Sequence, residues 1–556
     1  MNFWKKLSVS PREWRIVLLT ALAAIVLSAL PVILALLWAP AGTVYTGIHT
    51  FTPGDYNVYF SYFEQVKQGN LLFKDLFTAE EQLRHIFNPF WLLAGALGAL
   101  LHLPNLATLH IVRSLLIPVF AGAVYLLISL FLQRPRQRLA AFFLIMFAGG
   151  WGALLAPILE PFRYLAGGYY HWPPDLWVPE ALGWLSIYNA PHILFSTILM
   201  IVLLVAVLLI TGETSITVGK KTKLILAITA GGSSLFWFLF HPFHIVSMTA
   251  VIVVYFLYLL LSDRRRALRS LPYLLLIALL ASPGVIYHLW LLVADPLAQA
   301  RADQNQCITP VWWLVLIGYG FLLLGGITGL LAAIIKRKKP YAFLAIWFVV
   351  QAVIIYIPLN YQRRMIQGWY LPMIILAVIG LYEIRPWLAR KIGQKLWGAL
   401  TIPGFVIIMA TLGLFLSSIY VFPADLYLFR HPPRGVIYKS AEWEQSMDWI
   451  RQSTSEDAIF LSGTINGSFL PGWTGRTVYL GHGVETVNYL DKVNAYLKFM
   501  GDGPTAEKQQ LLIDNKIDYI FYGAEEKTDG ILPSDLISSL MPVFQNGEVT
   551  IYQVKK

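Results

Sequence analysis

The chain has 556 residues, 57% of them hydrophobic and only 13% charged, and a mean hydropathy of +0.61, which excludes an ordinary soluble domain. The formal charge of +11 does not indicate nucleic acid, because the basic residues gather in short clusters between apolar runs. The single cysteine, Cys307, excludes an intramolecular disulfide.

Apolar runs of about 20 residues, the length that crosses a bilayer, recur through roughly the first 420 positions. They fall at 14–39, 86–103, 107–132, 138–158, 191–211, 223–240, 245–262, 271–293, 311–335, 341–358, 369–384 and 396–422. The first follows Lys5, Lys6, Arg12 and Arg15 and exceeds a signal-peptide core, so it is expected to be a retained span. Basic clusters at Arg134–Arg138, Lys220–Lys221, Arg264–Arg269, Lys336–Lys339 and Arg385–Lys395 mark cytoplasmic ends. All of them fall on one side only if one run does not cross. The run 86–103 is short and carries Asn88, Pro89, His102 and Pro104 at its ends, so it is expected to lie in the outer interface. The expectation is a mainly α, polytopic membrane protein of about eleven transmembrane helices with outer juxtamembrane helices. Its amino terminus is cytoplasmic, its carboxyl terminus lies outside, and it sits in the plasma membrane.

The outer loops then collect the acids and imidazoles. The first, about 40–106, opens with Phe51-Thr-Pro-Gly-Asp-Tyr-Asn-Val-Tyr-Phe60 and holds Asp55, Glu64, Asp75, Glu80, Glu81, Arg84 and His85. Asp55 suits a base that takes a proton from a hydroxyl, or an oxygen ligand to a divalent metal. Pro-Gly-Asp before an aromatic helix is equally a helix cap. Asp175 and Glu180 lie in a loop rich in Trp and Pro, where they would complete a metal site with Asp55, orient an acceptor, or remain solvated acids in an interfacial belt. His241 and His244 bracket a Pro-Phe break at a span end and are metal-ligand candidates, although histidines so placed are more often structural. Arg363 and Arg364 offer guanidinium forks to a phosphate, joined by Arg113 and His85; the alternative for the arginines is headgroup anchoring. Later outer loops add Asp295, Arg301 and Asp303. No Walker loop, dinucleotide fingerprint, cysteine metal motif or Gly-x-Ser-x-Gly elbow is present.

From about Pro423 the composition changes, which divides the chain into a membrane part, 1–422, and a small extracytoplasmic α/β domain, 423–556. Tyr438–Thr454 has the period of an amphipathic helix with Trp443, Met447, Trp449 and Ile450 on its apolar side. Strands are expected at 458–461, 477–480 and 519–522, with helices near 486–500 and 506–516. Asn466-Gly-Ser468 fits a glycosylation sequon, a pattern too common to weigh.

Gly54-Asp55-Tyr56, Tyr59, Gln68-Gly69, Asn88-Pro89-Phe90-Trp91, Leu103 and Arg113 follow one another in an order that resembles the GT-C superfamily of membrane glycosyltransferases. Protein O-mannosyltransferases, the aminoarabinose transferase of lipid A and the oligosaccharyltransferase catalytic subunit are members. The resemblance covers roughly the first 200 residues in motif and the membrane part in architecture. It implies that Asp55 is the first-loop acid, a catalytic base or metal ligand, and that Asp175 or Glu180 is the second-loop acid. Tyr56 follows Asp55 where many members have a second acid, and the Trp-Trp-Asp signature is absent, which disfavours transfer to protein asparagine. The tail segments Trp449-Ile-Arg451, Gly475-Arg476 and Gly481-His482 are similar to outer domains of uncharacterised bacterial proteins of this type and assign no substrate.

The resemblance implies inverting transfer of a sugar from a polyprenyl-phosphate-linked donor to an extracytoplasmic glycan, lipid or protein acceptor, with Asp55 as base. Magnesium or manganese is the one cofactor admitted, membrane lipid is a partner, and nucleic acid is not. The alternative is a polytopic lipid or solute transporter, or a catalytically inactive scaffold. Transporters show repeats and midplane polar groups; here no repeat is visible and the polar groups lie at one face.

Overall fold

The computed structural model describes residues 9–50, 54–161, 172–214, 216–335, 341–392, 413–501 and 503–555, without the side chains of 385–392. Lys5, Lys6, Phe51, His171, the Lys336–Lys339 cluster, the side chains of the Arg385–Lys395 cluster and most of the run 396–422 lie outside the described residues.

In hydrocarbon a backbone can pair its polar groups only within itself, so apolar runs become helices. Among the described residues nine helices are long and apolar enough to cross a membrane: Pro11–Leu37, Asn105–Phe131, Pro135–Leu159, Pro191–Thr211, Lys220–Phe240, His244–Ser262, Arg264–Ala294, Trp312–Ile335 and Gln362–Ile384. The chain is a multi-pass membrane protein. Two of the eleven expected spans are not among the nine. The run 341–358 forms only Ala342–Ile354, 13 residues, and 396–422 lies largely outside the described residues.

The run expected not to cross forms Pro89–Leu100, 12 residues. At 1.5 Å per residue that is roughly 18 Å, against about 30 Å of hydrocarbon. Its start is built from the residues that argued against a crossing. Asn88 is the cap, its side chain accepting from the Trp91 N–H at 3.2 Å, and Pro89 takes the first helical position.

The described residues fall into two compact units. One lies within Met1–Ala29, Ile111–Trp290 and Gln306–Pro423, the other within Leu30–His110, Leu291–Asn305 and Ala424–Lys556. In the first, the Trp312–Ile335 and Tyr370–Ile392 helices meet backbone to backbone. A Cβ on Gly329 would lie 1.9 Å from the Leu376 carbonyl oxygen, and one on Gly380 2.6 Å from the Gly329 nitrogen. Small residues permit this approach, which is how helices gain contact where lipid removes the hydrophobic drive.

In the second unit, β1 (Thr43–Tyr45) pairs antiparallel with β2 (Tyr438–Ser440). The expected strands are β3 (Ile459–Leu461), β4 (Thr477–Val478) and β5 (Tyr519–Tyr522), with β3 parallel to both neighbours. An antiparallel pair that the sequence did not suggest, β6 (Leu540–Gln545) and β7 (Thr550–Val554), extends the sheet to the order β4-β3-β5-β7-β6. Ser440 caps the amphipathic helix, Ala441–Ser453, by accepting from the Trp443 N–H at 3.0 Å. Its apolar side buries Trp443, Met447 and Ile450 among Phe460, Phe469 and Phe521, while Trp449 is partly buried. Asn466 of the sequon is fully buried, its side chain bonded to Lys439, Trp443 and Glu526. The folded domain therefore closes it to glycosylation.

The glycine contact yields a stability prediction. Gly329→Leu forces two helix backbones apart and should cost about 1–3 kcal/mol, lowering the thermal midpoint in detergent. Gly232→Leu, at a helical position with nothing within 4 Å, should leave the midpoint in place. Equal midpoints for the two variants would refute the close packing.

Candidate functional site

Asp55 belongs to the second unit and is the first residue of the Asp55–Lys67 helix; the cap position is Gly54, so Asp55 does not serve as the cap residue. Its carboxylate stands in the first turn, where the helix dipole favours negative charge. The aromatic residues behind it fix the helix. Tyr56, Phe60 and Phe63 are buried, and Tyr59 stacks on Trp91 of the Pro89–Leu100 helix with ring centroids 4.4 Å apart. The Asp55 side chain is 43% exposed and lies beside His482, whose Nε2 is 3.8 Å from Asp55 Oδ1.

His482 is held from several sides. Its Nδ1 accepts from the N–H groups of Val484 and Glu485, both at 3.3 Å, which leaves the ring proton on Nε2, toward the carboxylate. Phe77 meets the ring edge-on at 5.9 Å. The turn that carries it is anchored by Gln304, whose Nε2 lies 3.3, 3.1 and 2.8 Å from the carbonyl oxygens of Gly483, Val484 and Thr486. The Thr486 hydroxyl donates to the Phe77 carbonyl at 2.8 Å. Arg301 Nη1 lies 3.1 Å from Asp75 Oδ2 and 3.3 Å from Glu485 Oε2. Burial raises the Asp75 pKa to about 6, against the pull of the Arg301 charge. His85 pairs with Asp295, Nε2 to Oδ2 at 2.9 Å.

The remaining candidates belong to the first unit. Asp175 is fully buried, and its Oδ2 accepts from the N–H groups of Gly150 and Gly152, both at 3.0 Å. These amides open the Gly152–Leu159 helix after the break that ends Pro135–Phe147. Burial raises the Asp175 pKa to about 7, partly offset by hydrogen bonds from Ser417, Gly152 and Gly150. Glu180 is buried, and its Oε2 accepts no hydrogen bond among the described residues.

His241 and His244 sit in a buried polar network. His241 Nδ1 pairs with Ser196 Oγ at 2.8 Å, and that oxygen also accepts from Trp237 Nε1 at 2.7 Å. His244 Nε2 donates to Gln367 Oε1 at 2.9 Å. Among the described residues no three His, Cys, Asp or Glu side chains gather where they could hold a metal ion. Arg113 is buried and donates to the backbone carbonyls of Ser28, at 2.9 Å, and Tyr188. Arg363 and Arg364 flank the Cys307 sulfur, Nη2 at 3.7 Å and Nε at 3.4 Å. Their guanidinium carbons lie over the rings of Trp177 and Phe243, each 4.6 Å from the centroid. The structure thus brings the two arginines together at Cys307, while Arg113 donates to backbone carbonyls.

Sequence reasoning named His482 and Arg301 without giving either a function. The signal for His482 was weak: a Gly-His pair in a soluble tail, with nothing local to connect it to Asp55.

No family model and no curated protein matches the sequence. Solved structures match in fold. The archaeal oligosaccharyltransferase AglB from Archaeoglobus fulgidus, solved with an inhibitory peptide and a dolichol-phosphate, aligns with a TM-score of 0.54 over 91% of this chain and 70% of that one, at 14% identity. ArnT from Cupriavidus metallidurans, bound to undecaprenyl phosphate, aligns with a TM-score of 0.52 over 98% of both chains at 13% identity. The arabinofuranosyltransferase AftD from mycobacteria aligns with a TM-score of 0.52 over 99% of this chain and 42% of that one, at 14% identity. These neighbours are GT-C superfamily enzymes, and this chain shares their fold.

Asp175 sets a pH dependence. Its carboxyl binds a proton more tightly in the fold, at about 7, than at its ordinary value of 3.8, so its contribution is complete below that ordinary value and is lost as pH rises through 7. Between those values the loss approaches about 1.4 kcal/mol per pH unit. Asp175→Asn keeps an acceptor for the two amides and removes the titration. The thermal midpoint of the wild type should fall more steeply from pH 5 to pH 8 than that of the variant, and parallel curves would show that Asp175 is ionised in the fold.

Proposed function

We propose that this protein is an integral-membrane glycosyltransferase that moves a sugar from a polyprenyl-phosphate-linked donor to an acceptor outside the cytoplasm. The observation that carries the proposal is the fold shared over 98% of both chains with a transferase that binds undecaprenyl phosphate. The accessible carboxylate of Asp55 at a helix start supports it chemically.

The leaving group of such a donor is a stabilised phosphate, so the reaction needs a base and cations rather than a strong acid. Asp55 takes the proton of the acceptor hydroxyl as its oxygen attacks the anomeric carbon. The bond from that carbon to the phosphate oxygen breaks, and its electron pair leaves with the polyprenyl phosphate. A single displacement inverts the anomeric configuration. Arg363 and Arg364, in the other compact unit, offer paired guanidinium forks of the kind that suits a phosphate. Asp175 or Glu180 is the second-loop acid: Asp175 Oδ2 holds two amides, and Asp175 Oδ1 and Glu180 Oε2 each lack a hydrogen bond among the described residues. Arg113 and His85 are engaged instead by backbone carbonyls and by Asp295.

Magnesium or manganese fits these residues poorly. Asp175 is pushed toward its neutral form, His241 and His244 are engaged by Ser196 and Gln367, and no metal cluster forms among the described residues. The positive-inside pattern supports a plasma-membrane orientation with a cytoplasmic amino terminus and residues 423–556 as an extracytoplasmic domain.

Two measurements test the proposal. Native mass spectra of the detergent-purified protein should show a bound polyprenyl phosphate or its glycoside, lost in Arg363→Ala/Arg364→Ala. Ordinary phospholipid alone in both would point to a transporter or an inactive scaffold. In membranes, consumption of the lipid-linked sugar identified in this way should fall by about 10²–10⁴-fold in Asp55→Asn, with the lipid still bound. Undiminished consumption would remove Asp55 as the base.

A further inference from the structure

We propose that the first unit binds one anionic phospholipid, its phosphate among Lys220, Lys221, Arg264, Arg265 and Arg269 and one acyl chain in the crevice beneath them. The inference stands apart from the transferase reading, since it uses neither Asp55 nor the arginines assigned to the donor.

The site begins at the carboxyl end of the Pro191–Thr211 helix. Two cations close its last carbonyls. Lys223 Nζ donates to the Ile210 carbonyl at 2.6 Å, and Arg266 Nε donates to that of Thr211. Both cations lie in the opening turns of their own helices, Lys220–Phe240 and Arg264–Ala294, so two helix starts are drawn to one spot. Glu213 and Asp263, the acids of these segments, are both turned to Arg266: Glu213 pairs with its guanidinium, and Asp263 Oδ1 accepts from its N–H at 3.1 Å.

What remains is positive. Lys220, Lys221, Arg264, Arg265 and Arg269 are exposed, and none makes a hydrogen bond or ion pair among the described residues. The first four stand in first turns that hold no acid, where the helix dipole already adds positive charge and repels them. A phosphate set there answers the cations and the amides of both helix starts together.

The second observation is the crevice, of about 230 Å³, lined by Val207, Phe238, Met248, Val253, Leu271 and Ala281 among others. Along the Arg264–Ala294 helix its wall runs from Leu271 to Ala281, about 15 Å at 1.5 Å per residue. It is long, narrow and smaller than the roughly 300–1,000 Å³ of a compact ligand's pocket, which suits a single hydrocarbon chain. Val253 and Leu275 in its wall are 48% and 58% exposed, so it opens to the surrounding hydrocarbon. Leu271 lies seven residues past Arg264, two turns along, hence on the same helix face and about 10 Å away. Charge and crevice are thus separated by the span of a glycerol backbone and its ester links.

The donor phosphate is a different group. Arg364 lies over Phe243, just past the far end of the Lys220–Phe240 helix, and 21 residues put about 30 Å between the two ends. One phosphate cannot serve both. In the orientation proposed above, the cation cluster meets the cytoplasmic leaflet, where anionic lipid makes the surface potential negative.

The test is native mass spectrometry of the full-length protein in detergent, titrated with phosphatidylglycerol or with phosphatidylcholine. One phosphatidylglycerol should bind in preference to phosphatidylcholine. Arg264→Gln/Arg265→Gln/Arg269→Gln should weaken phosphatidylglycerol by about 10²-fold and leave phosphatidylcholine unchanged. Ala278→Trp fills the crevice from an exposed wall position and should weaken phosphatidylglycerol with every cation intact; Thr249→Trp repeats the fill from the facing helix. Leu279→Trp, exposed and outside the crevice, should weaken nothing. Thermal midpoints in detergent show that each variant is folded. Equal binding of the two lipids by the wild type would leave the cations a topological role only and overturn the site. Displacement of the lipid by inorganic phosphate would reduce it to a soluble-anion site. Loss of a polyprenyl phosphate, rather than of phosphatidylglycerol, from Ala278→Trp would give the crevice to the donor's tail and overturn the inference.

Discussion

The need to pair every backbone amide inside the protein is the constraint on which the membrane unit depends. Long apolar helices meet it automatically. The difficulty arises where a helix breaks. Between Phe147 and Gly152 the amides of Gly149, Gly150, Trp151 and Gly152 lose the partners of a continuous helix, and each finds another: the Leu414 carbonyl at 2.5 Å, Asp175, the Ile317 carbonyl at 3.0 Å, and Asp175 again. One carboxylate oxygen thus serves two amides. The glycines follow from this, since a Cβ on Gly152 would lie 2.3 Å from Asp175 Oδ1.

This arrangement changes the meaning of an acid in an outer loop. In the sequence, Asp175 and Glu180 are two carboxylates near each other with the same claim to chemistry. In the fold they differ. Asp175 has one oxygen held by two amides and is driven toward its neutral form, although Asp175 Oδ1, like Glu180 Oε2, has no hydrogen bond among the described residues. Asp55 differs from both in being accessible and at a helix start. Environment, rather than residue type, separates an acid that holds a helix break from one that stands accessible at a helix start.

What the sequence made legible was whatever depends on local period and composition. The spans followed from apolar length, and the short Pro89–Leu100 helix from its own cap and proline. Trp443, Met447 and Ile450 declared the buried side of a helix through their spacing. The Thr464–Thr474 helix was hidden because Gly467, Pro471 and Gly472 interrupt its pattern. The β6–β7 pair was hidden because β6 carries Pro542 and a register shift beside it, so it lacks the alternation of a regular strand. The site divides in the same way. Asp55 stands out as an acid beside a span, but His482, Gln304 and Arg301 come from distant segments, and no local rule joins residues so far apart in the chain.

The Arg301 pairings show why such residues are present although they add little to stability. Burying a guanidinium with Asp75 and Glu485 forfeits hydration that their mutual attraction only partly returns, and an apolar replacement of similar volume is often neutral or better. Burial opposes the Arg301 charge, yet the two carboxylates keep its pKa above the ordinary range, and Asp75 is raised by the same burial. What the pairings provide is direction. Asp75 lies in the segment that also carries Phe77, and Glu485 lies three residues beyond His482. A guanidinium that bonds both sets the turn against that segment in one register, where an apolar contact would let it slide. Residues with no chemistry of their own thus determine where the His482 imidazole sits, 3.8 Å from the Asp55 carboxylate.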